Sequence, residues 1–324
     1  MPATGAQNDI AGYLLHLQTQ RKLSRHTLEN YRRDLDQLAS LSMEKNGGGD
    51  LAGLNQFDIR RFASQLHALG MSPTSIARKL SAWRGFFGWL SQQQSMVANP
   101  VDGVKAPRRA KTLPKALGVD DAVKLVSASV DSNDEHRVHA LCSKAIFELL
   151  YSSGLRVSEL TSLDLRYLQH GEYQSQGWLD LDAAELAVTG KGSKRRNVPV
   201  GAAAMQALRE WLAVRDGIAR AEPAGDANAL FLSVRGHRIS PREVQKRIKA
   251  HAQALGIPAD VHPHVLRHSF ASHLLQSSGD LRAVQEMLGH ASISSTQVYT
   301  SLDFQRLAQV YDAAHPRAKK QGGD

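Results

Sequence analysis

Cysteine is almost absent from the sequence: Cys142 is the single one in 324 residues. One cysteine excludes an intramolecular disulfide and is typical of a protein that works in a reducing compartment. The sequence also lacks any run near the roughly 20 apolar residues that a membrane-spanning helix needs. Its N-terminus lacks the charged-then-apolar pattern of a secretion signal. These absences predict a soluble, cytoplasmic protein without a membrane partner.

Acidic residues are outnumbered by basic ones, which leaves a net charge of +9 that is concentrated in residues 1–110. A basic balance favours a polyanionic partner, and nucleic acid is the first candidate. The charge alone is weak support, because many soluble proteins are basic. At 324 residues the chain exceeds the usual size of one domain, so we expect two domains with separate cores.

The hydrophobic pattern changes along the chain and predicts an all-α domain followed by a mixed one. In residues 1–106 apolar side chains recur three and four positions apart, which is typical of amphipathic helices. Residues 107–115 are basic and contain prolines, so they are expected to form a linker, either beside a phosphate backbone or simply solvated. Residues 116–324 combine helices with strand-like alternation between Trp178 and Val200. The predicted fold class is therefore mainly α with a small antiparallel β-sheet, in two domains.

Local signals place several helix starts. Ser72-Pro73 is a capping residue followed by proline at the first helical position. Ser240-Pro241 repeats this pattern, and Glu243 is expected to complete a capping box with Ser240. Asp120 or Asp121 is expected to cap another helix.

Further elements are predicted in the second half of the chain. The apolar stretch 138–151 predicts a long helix that ends at Gly154. The polar segment 167–177 precedes the predicted sheet, and we interpret it as a surface insertion. Helices are also expected near residues 263–276, 280–288, 294–300 and 303–313.

Residues that suit phosphate chemistry occur in separate segments of the second domain. They are Arg156, Lys191, His264, Arg267, His290 and Tyr299. A phosphodiester under in-line attack carries close to two negative charges, which forked guanidinium groups and histidine donors can stabilise. A phenol with an ordinary pKa of about 10 is a poor nucleophile until its proton is removed. The set predicts a phosphate-cleaving centre with a tyrosine nucleophile.

A metal site is the alternative for the histidine-rich stretch around Arg267. His264 and His268 have the four-residue spacing of a zinc-binding helix, and His262 and His273 lie nearby. The stretch offers no carboxylate or cysteine ligand, however, and the arginine would repel a cation. We therefore expect no metal.

Taken singly, the other candidates also have structural interpretations. Arg156 and Glu159 could form a surface ion pair worth tenths of a kcal/mol. Lys191 could lie in a solvated basic hairpin, and Tyr299 could be a half-buried packing residue. The joint occurrence of all six residues in this order favours the catalytic interpretation.

These segments resemble the tyrosine site-specific recombinases of the phage integrase family, and within them the bacterial Xer type that resolves chromosome dimers. The resemblance covers nearly the whole chain, including the closing run Leu302–Lys319. It implies a helical, SAM-like core-binding domain and a catalytic domain that close around DNA. The segment 167–177 makes the interval before Lys191 longer than the family leads us to expect, so Lys194 is an alternative to Lys191.

The resemblance also implies a role for each candidate. Arg156 and Arg267 would clamp the non-bridging oxygens, while His264 and His290 would donate hydrogen bonds or move the proton of the nucleophile. Lys191 would be the general acid. Tyr299 would form a 3′-phosphotyrosyl bond to DNA. The phosphoester energy stays in that bond, so neither ATP, a metal nor another cofactor is expected.

DNA and protein partners follow from the same resemblance. The recombination site would be double-stranded DNA, bound in part by a helix from Ser240-Pro241 whose side chains contact bases. The candidate DNA-binding residues are Arg78, Lys79, Arg84, Arg108, Arg109, Arg242, Gln245, Lys246 and Lys249. Two protomers would assemble with two of a XerD-type recombinase, regulated by a cell-division DNA translocase. The tail, Leu302–Lys320, is expected to dock on a neighbouring protomer, and the alternative is a helix packed on the core of its own domain.

Three other functions are compatible with the same residues. A type IB-like topoisomerase would use similar chemistry but rejoin a single duplex. A phage or integron integrase would share the same catalytic residues. A DNA-binding regulator would keep the site in silent form.

Overall fold

The computed structural model divides the chain into two units, Met1–Thr112 and Leu113–Asp324. This division falls within the predicted linker. The structure describes residues 5–23, 25–46, 51–94, 96, 98–108, 116–128, 134–190, 195–219, 224–257, 260–289, 309–311 and 313–316. Each unit has its own hydrophobic core. Within those residues, no helix combines the length and apolar character that crossing a bilayer requires.

The N-terminal unit is helical where it is described. Its helices are α1 (Gly5–Thr19), α2 (Arg25–Asn46), α3 (Gln56–Ala68) and α4 (Pro73–Gln93). The predicted start of α4 is confirmed, because the Ser72 hydroxyl accepts a hydrogen bond from the Ser75 N–H at 3.2 Å. Helix α3 begins with a reciprocal pair of bonds between Asn55 and Asp58, which satisfy otherwise unpaired amides of its first turn.

Aromatic packing and one buried carboxylate hold α2 and α4 together. Trp83 is fully buried on α4, and its indole N–H donates to the Asp34 carbonyl on α2 at 2.8 Å. The Asp34 carboxylate is also buried and pairs with Arg78 and with Lys79, whose Nζ lies 2.8 Å away. Lys79 is only 6% exposed. Its prediction as a DNA contact is therefore corrected: the lysine neutralises Asp34 inside the unit, because a buried carboxylate needs a partner.

The C-terminal unit combines helices, several of which pack against α6, with a small sheet. The helices are α5 (Val119–Ser127), α6 (Asp134–Ser153), α7 (Val157–Thr161), α8 (Ala202–Arg215), α9 (Ala224–Ala227), α10 (Pro241–Ala254), α11 (Pro263–Ser278) and α12 (Leu281–Leu288). The predicted fold class, mainly α with a small antiparallel sheet, is confirmed in this unit and the preceding one.

Two predicted helix caps need correction. The cap of α5 is Gly118, and Asp120 and Asp121 lie in the first turn. Carboxylates there are stabilised by the positive end of the helix dipole without capping it. At α10 the Ser240 hydroxyl does accept from the Glu243 N–H at 3.2 Å, but the Glu243 carboxylate pairs with Arg247 instead of returning to the cap.

The sheet combines the predicted antiparallel strands with one strand that the sequence did not indicate. The strands of this unit are β1 (Leu163–Asp164), β2 (Gln169–His170), β3 (Tyr173–Gln174), β4 (Gly177–Asp180), β5 (Glu185–Thr189) and β6 (Arg195–Pro199). Four of them form the sheet in the order β1-β4-β5-β6, with β1 parallel to β4 and the other pairs antiparallel. The pair β2–β3 forms a separate hairpin within the polar segment 167–177.

The hairpin of the polar segment is anchored through one buried carboxylate. The Tyr173 hydroxyl donates to Asp164 of β1 at 2.8 Å, and Arg238 donates to the same carboxylate at 2.6 Å. Burial, followed by the hydrogen bond to Asp164, raises the pKa of Tyr173 to about 12. This tyrosine therefore stays protonated and serves as a structural donor.

The described part of the C-terminal tail packs against its own unit. Tyr311 is buried beside α11 and α12, and the His315 ring stacks on Tyr311 with ring centroids 4.8 Å apart. The same imidazole lies 5.0 Å from the Tyr151 ring and 5.4 Å from the Phe270 ring. The docking of the tail on a neighbouring protomer stays a prediction, while these residues bury their aromatic surface within the same chain.

Candidate active site

A sharp turn after α6 brings Arg156 to the site. The long apolar helix ends at Ser153, and Gly154 follows with φ +56°, which confirms the predicted end. A Cβ at Gly154 would lie 2.4 Å from the Phe270 ring, so both the backbone conformation and the close packing require glycine here. Arg156 then precedes α7 directly.

Glu159 on α7 gathers three guanidinium groups around one buried carboxylate. It is 5% exposed and accepts hydrogen bonds from the Arg156 amide at 2.8 Å and the Arg156 Nη1 at 2.9 Å. Both Nη atoms of Arg196 donate to it at 3.0 Å, and Arg267 Nη1 lies 3.9 Å away. Burial would raise the pKa of the Glu159 carboxyl, but Arg196 and Arg156 outweigh burial and lower it. The carboxylate is therefore ionised at neutral pH.

Arg267 connects three elements at the centre of this group. Its Nη1 donates to the Gly154 carbonyl at 2.5 Å, and its Nη2 donates to the Leu288 carbonyl at 2.6 Å. The side chain comes from α11, so it joins the ends of α6 and α12. Burial and then the charge of Arg156 lower the pKa of Arg267 to about 10, which leaves it charged at neutral pH.

His264 lies one turn before Arg267 on α11 and is exposed. Burial, followed by the positive charges of His262, Arg267 and Arg156, lowers the pKa of the imidazole. The charges of Arg156 and Arg267 therefore both act on this imidazole. A neutral imidazole has one donor and one acceptor nitrogen, which suits it to bind or move a proton.

The other histidines of this stretch differ from one another. His273 is buried between the Tyr151 hydroxyl and the Leu117 carbonyl, each 2.9 Å from a ring nitrogen, and is structural. His268 is exposed. Within the described part of the chain, no three histidine, cysteine or carboxylate side chains come together as metal ligands.

Arg196 is a residue of the site that the sequence analysis did not single out. It lies on β6 opposite Val188, and its side chain points inward like that of Val198. The signal was available, since strand alternation places Arg196 and Val198 on one face. It was overlooked because a basic residue in a hairpin is usually solvated.

Three of the six candidates, Lys191, His290 and Tyr299, lie outside the described residues, as does the alternative, Lys194. The described neighbours of the first are Gly190 and Arg195. Helix α12 ends at Leu288, and Gly289 follows with φ +63°, immediately before His290.

The candidate DNA-binding residues fall into two groups, one in each unit. On α10 the predicted inward stripe Val244, Ile248 and Ala252 is confirmed, since all three are buried. The exposed positions on the same helix are Arg242, Gln245, Lys246 and Lys249.

In the N-terminal unit, Arg78 and Arg84 keep close to half of their side-chain surface exposed. Arg78 also pairs with Asp34, and Arg84 donates to the carbonyls of Val101 and Val104 at 3.3 Å. Arg108 is exposed, and Arg109 lies outside the described residues.

Comparison with known families and proteins matches both units. The N-terminal SAM-like domain of phage integrases matches residues 10–94, and the phage integrase family matches residues 115–306. Tyrosine recombinase XerC 1 of Ralstonia nicotianae is 57% identical over 313 residues, covering 96% of this chain and 94% of the relative. Tyrosine recombinase XerC of Escherichia coli O157:H7 is 44% identical over 317 residues, covering 98% and 99%.

A solved structure supports the fold. The XerH site-specific recombinase bound to palindromic difH substrate, in a post-cleavage complex, has a TM-score of 0.63 and 19% identity. The match covers 96% of this chain and 90% of XerH. This likeness supports the fold of the helical unit and of the mixed unit. The chain therefore belongs to the phage integrase family, among its XerC-type tyrosine recombinases, which are enzymes that cut and rejoin DNA at specific sites.

Proposed function

We propose that Arg156, Arg267 and His264 bind the scissile phosphate of a DNA recombination site, and that Lys191, His290 and Tyr299 complete the centre. The observation that carries this proposal is the arginine group around Glu159. Three guanidinium groups surround one carboxylate there, which leaves a surplus of positive charge. A phosphodiester approaching its transition state gains negative charge and fits that surplus.

Arg156 is the most accessible arginine of this group for a ligand. Its side chain remains 34% exposed, whereas those of Arg196 and Arg267 are 10% exposed or less. Because Glu159 already holds one Nη atom of Arg156, the guanidinium fork is oriented before DNA arrives. Such preorganisation avoids a reorganisation cost during the reaction.

The proposed reaction forms a bond between the Tyr299 oxygen and phosphorus and breaks the bond between phosphorus and the 5′ oxygen. Lys191 gives its proton to the leaving 5′ oxygen, and a histidine accepts the phenol proton. The 3′-phosphotyrosyl bond stores the energy of the broken ester. A 5′ hydroxyl from a partner duplex then attacks this bond and releases the tyrosine.

We further propose that Arg242 and Gln245 of α10 contact base edges, while Lys246 and Lys249 contact phosphates. Arginine and glutamine can bind guanine and adenine edges with two hydrogen bonds, each pair worth about 1–3 kcal/mol of discrimination. Arg242→Ala or Gln245→Ala should relax preference at one position of the site. Lys249→Ala should weaken binding to all sequences alike. Binding assays over a library of site variants test this, and a uniform loss from all three variants contradicts it.

The biological role that we propose is resolution of chromosome dimers. XerC is the name of the relatives, and a XerD-type recombinase is the partner that we propose in a two-plus-two assembly on two sites. A cell-division DNA translocase would regulate that assembly. Formation of Holliday junctions from two labelled sites, only when a XerD-type partner is added, is the expected result. Religation within a single duplex without junctions would favour the topoisomerase alternative.

Tyr299→Phe tests the chemical proposal. A Xer-type core site with a nick beside the scissile phosphate is incubated with protein, so that the released fragment diffuses away and the adduct persists. Denaturing electrophoresis should show a protein–DNA adduct with the native chain and none with Tyr299→Phe, although both bind the site. An adduct from the phenylalanine variant, or none from the native chain, contradicts the proposed nucleophile or the proposed activity.

A further inference from the structure

Each of the three guanidinium nitrogens of Arg196 donates a hydrogen bond, and these bonds reach two other elements, α7 and α12. Its side chain starts on β6, and both Nη atoms donate to the Glu159 carboxylate of α7 at 3.0 Å. Its Nε donates to the Met287 carbonyl in the last turn of α12 at 3.1 Å. The residue is 7% exposed. The hydrogen bonds of Arg196 therefore all go to other residues of the protein, whereas the Arg156 side chain is partly exposed.

The Glu159 carboxylate, which accepts the hydrogen bonds of Arg196, also orients Arg156, the proposed phosphate-binding arginine. Glu159 Oε1 accepts from both Arg196 and Arg156, while Glu159 Oε2 accepts from the Arg196 Nη2 and the Arg156 amide. A two-point contact between a planar fork and a carboxylate fixes direction as well as distance. The start of β6 and the start of α7 are thus held in one relative position.

Gly289 provides an independent observation about the third element. A Cβ at this position would lie 3.0 Å from Arg196 Nη1 and 3.1 Å from its Cζ. The backbone that follows α12 therefore packs directly against the guanidinium plane. The next residue in the sequence is His290.

Arg196 lies close in the sequence to Lys191, the general acid of the proposed reaction. Only four residues separate Arg196 from Lys191, and Arg195 pairs with Thr189 across the two strands that bound the intervening segment. The segment that contains Lys191 therefore connects two paired strands, β5 and β6, and Arg196 holds β6 against Glu159. The exposed neighbour Arg195 lies on the opposite face, with its guanidinium 5.5 Å from the centre of the Trp178 ring.

We propose that Arg196 is a positioning residue that sets the base of the Lys191 segment relative to the phosphate-binding arginine. This inference rests on the proposed function, in which Lys191 protonates the leaving 5′ oxygen. In this proposal Arg196 does not contact DNA and acts through β6, which begins four positions after Lys191. Its loss should therefore impair the proton transfer to the leaving group more than the binding of the phosphate.

The test compares two leaving groups. In an ordinary site the bond from phosphorus to oxygen breaks, and the leaving oxygen needs a proton. In a site with sulfur at the bridging 5′ position, the bond from phosphorus to sulfur breaks and a thiolate leaves. A thiol has an ordinary pKa of about 8.5 and leaves without help from a general acid. The ratio of adduct formation on the two substrates thus reports the proton transfer.

Three variants are compared with the native chain: Arg196→Lys, Arg195→Lys and Lys191→Ala. Arg196→Lys should slow adduct formation on the oxygen substrate by about 100-fold but on the sulfur substrate by less than about tenfold. Lys191→Ala should show the same pattern, with at least an equal loss on oxygen. Arg195→Lys makes the identical change one residue earlier, on the exposed face, and should leave both rates near those of the native chain.

The ratio also separates misfolding from mispositioning. Both substrates meet the same folded fraction of a preparation, so a loss of folded protein slows both reactions equally. Equal losses of Arg196→Lys on oxygen and sulfur, or no loss on either, overturn the inference. If sulfur fails to restore cleavage by Lys191→Ala, the general-acid role in the proposed function is wrong, and the positioning role falls with it.

Discussion

Each unit of the protein contains one buried carboxylate that is shared by several cations, and the two groups differ in where their members lie. Asp34 pairs with Arg78 and Lys79, and both come from one helix, α4. Glu159 instead gathers arginines from three different places in the chain: Arg156 before α7, Arg196 on β6, and Arg267 on α11, which also donates to the end of α12.

This difference separates a stabilising group from a functional one. The Asp34 group joins two helix faces and satisfies charges that burial would otherwise penalise. The Glu159 group holds backbone turns together, and those turns carry Arg156 and adjoin, in the sequence, Lys191 and His290. It also keeps three guanidinium groups near each other, an arrangement that is unfavourable without an anion. We infer that the first group serves folding and that the second serves phosphate binding.

Arg267→Ala should produce the largest effect on cleavage. A clamp on developing charge acts mainly in the transition state, so adduct formation should fall by about 1,000-fold while the affinity for DNA changes little. Adduct formation and equilibrium binding are measured on the same nicked site. Arg78→Ala is the matched control, because it removes an arginine from the Asp34 group and should leave the chemical step intact. Equal losses in binding and cleavage for Arg267→Ala would reduce this residue to an ordinary phosphate contact.

Asp34→Asn should affect stability rather than chemistry. It leaves Lys79 buried with its charge unpaired, which is expected to lower the free energy of unfolding of the N-terminal unit by about 3 kcal/mol. Urea denaturation of the full chain, followed by tryptophan fluorescence in a Trp178→Phe, Trp211→Phe background that leaves only the tryptophans of α4, measures this change. Below the unfolding transition, the variant should still cleave at the native rate once bound. A large loss of cleavage by folded, bound protein would show that the two groups are not separate in function.

Glu159→Gln should have a smaller effect, a change in the free energy of unfolding that depends on pH. Its folded pKa lies below the ordinary value of 4.5, so its ionised form contributes stability above that value. This contribution is lost as the pH falls through the folded pKa. The difference in unfolding free energy between the native chain and Glu159→Gln should therefore be constant near neutral pH and shrink below about pH 4.5. A difference that grows on acidification would contradict the ionised, arginine-bound carboxylate.

Local sequence patterns were sufficient to predict much of the secondary structure. The caps at Ser72 and Ser240, the glycine that ends α6 and the inward stripe of α10 depend on residues close in sequence. The predicted cap at Asp120 or Asp121 was wrong because several residue types suit the first turn of a helix equally well. Strand β1 was missed because two residues of parallel pairing leave no periodic signal.

By itself, the sequence determined which residues could perform phosphate chemistry and in which order they occur, because arginine, histidine and tyrosine have distinctive side-chain chemistry. Only the tertiary structure decided which charges are used internally. By residue type alone, Lys79 and Arg196 resemble ordinary surface cations, yet one neutralises Asp34 and the other orients Glu159. The physical reason is that burial and pairing of a charge depend on contacts between residues far apart in the chain, and those contacts exist only once the helices and strands have packed.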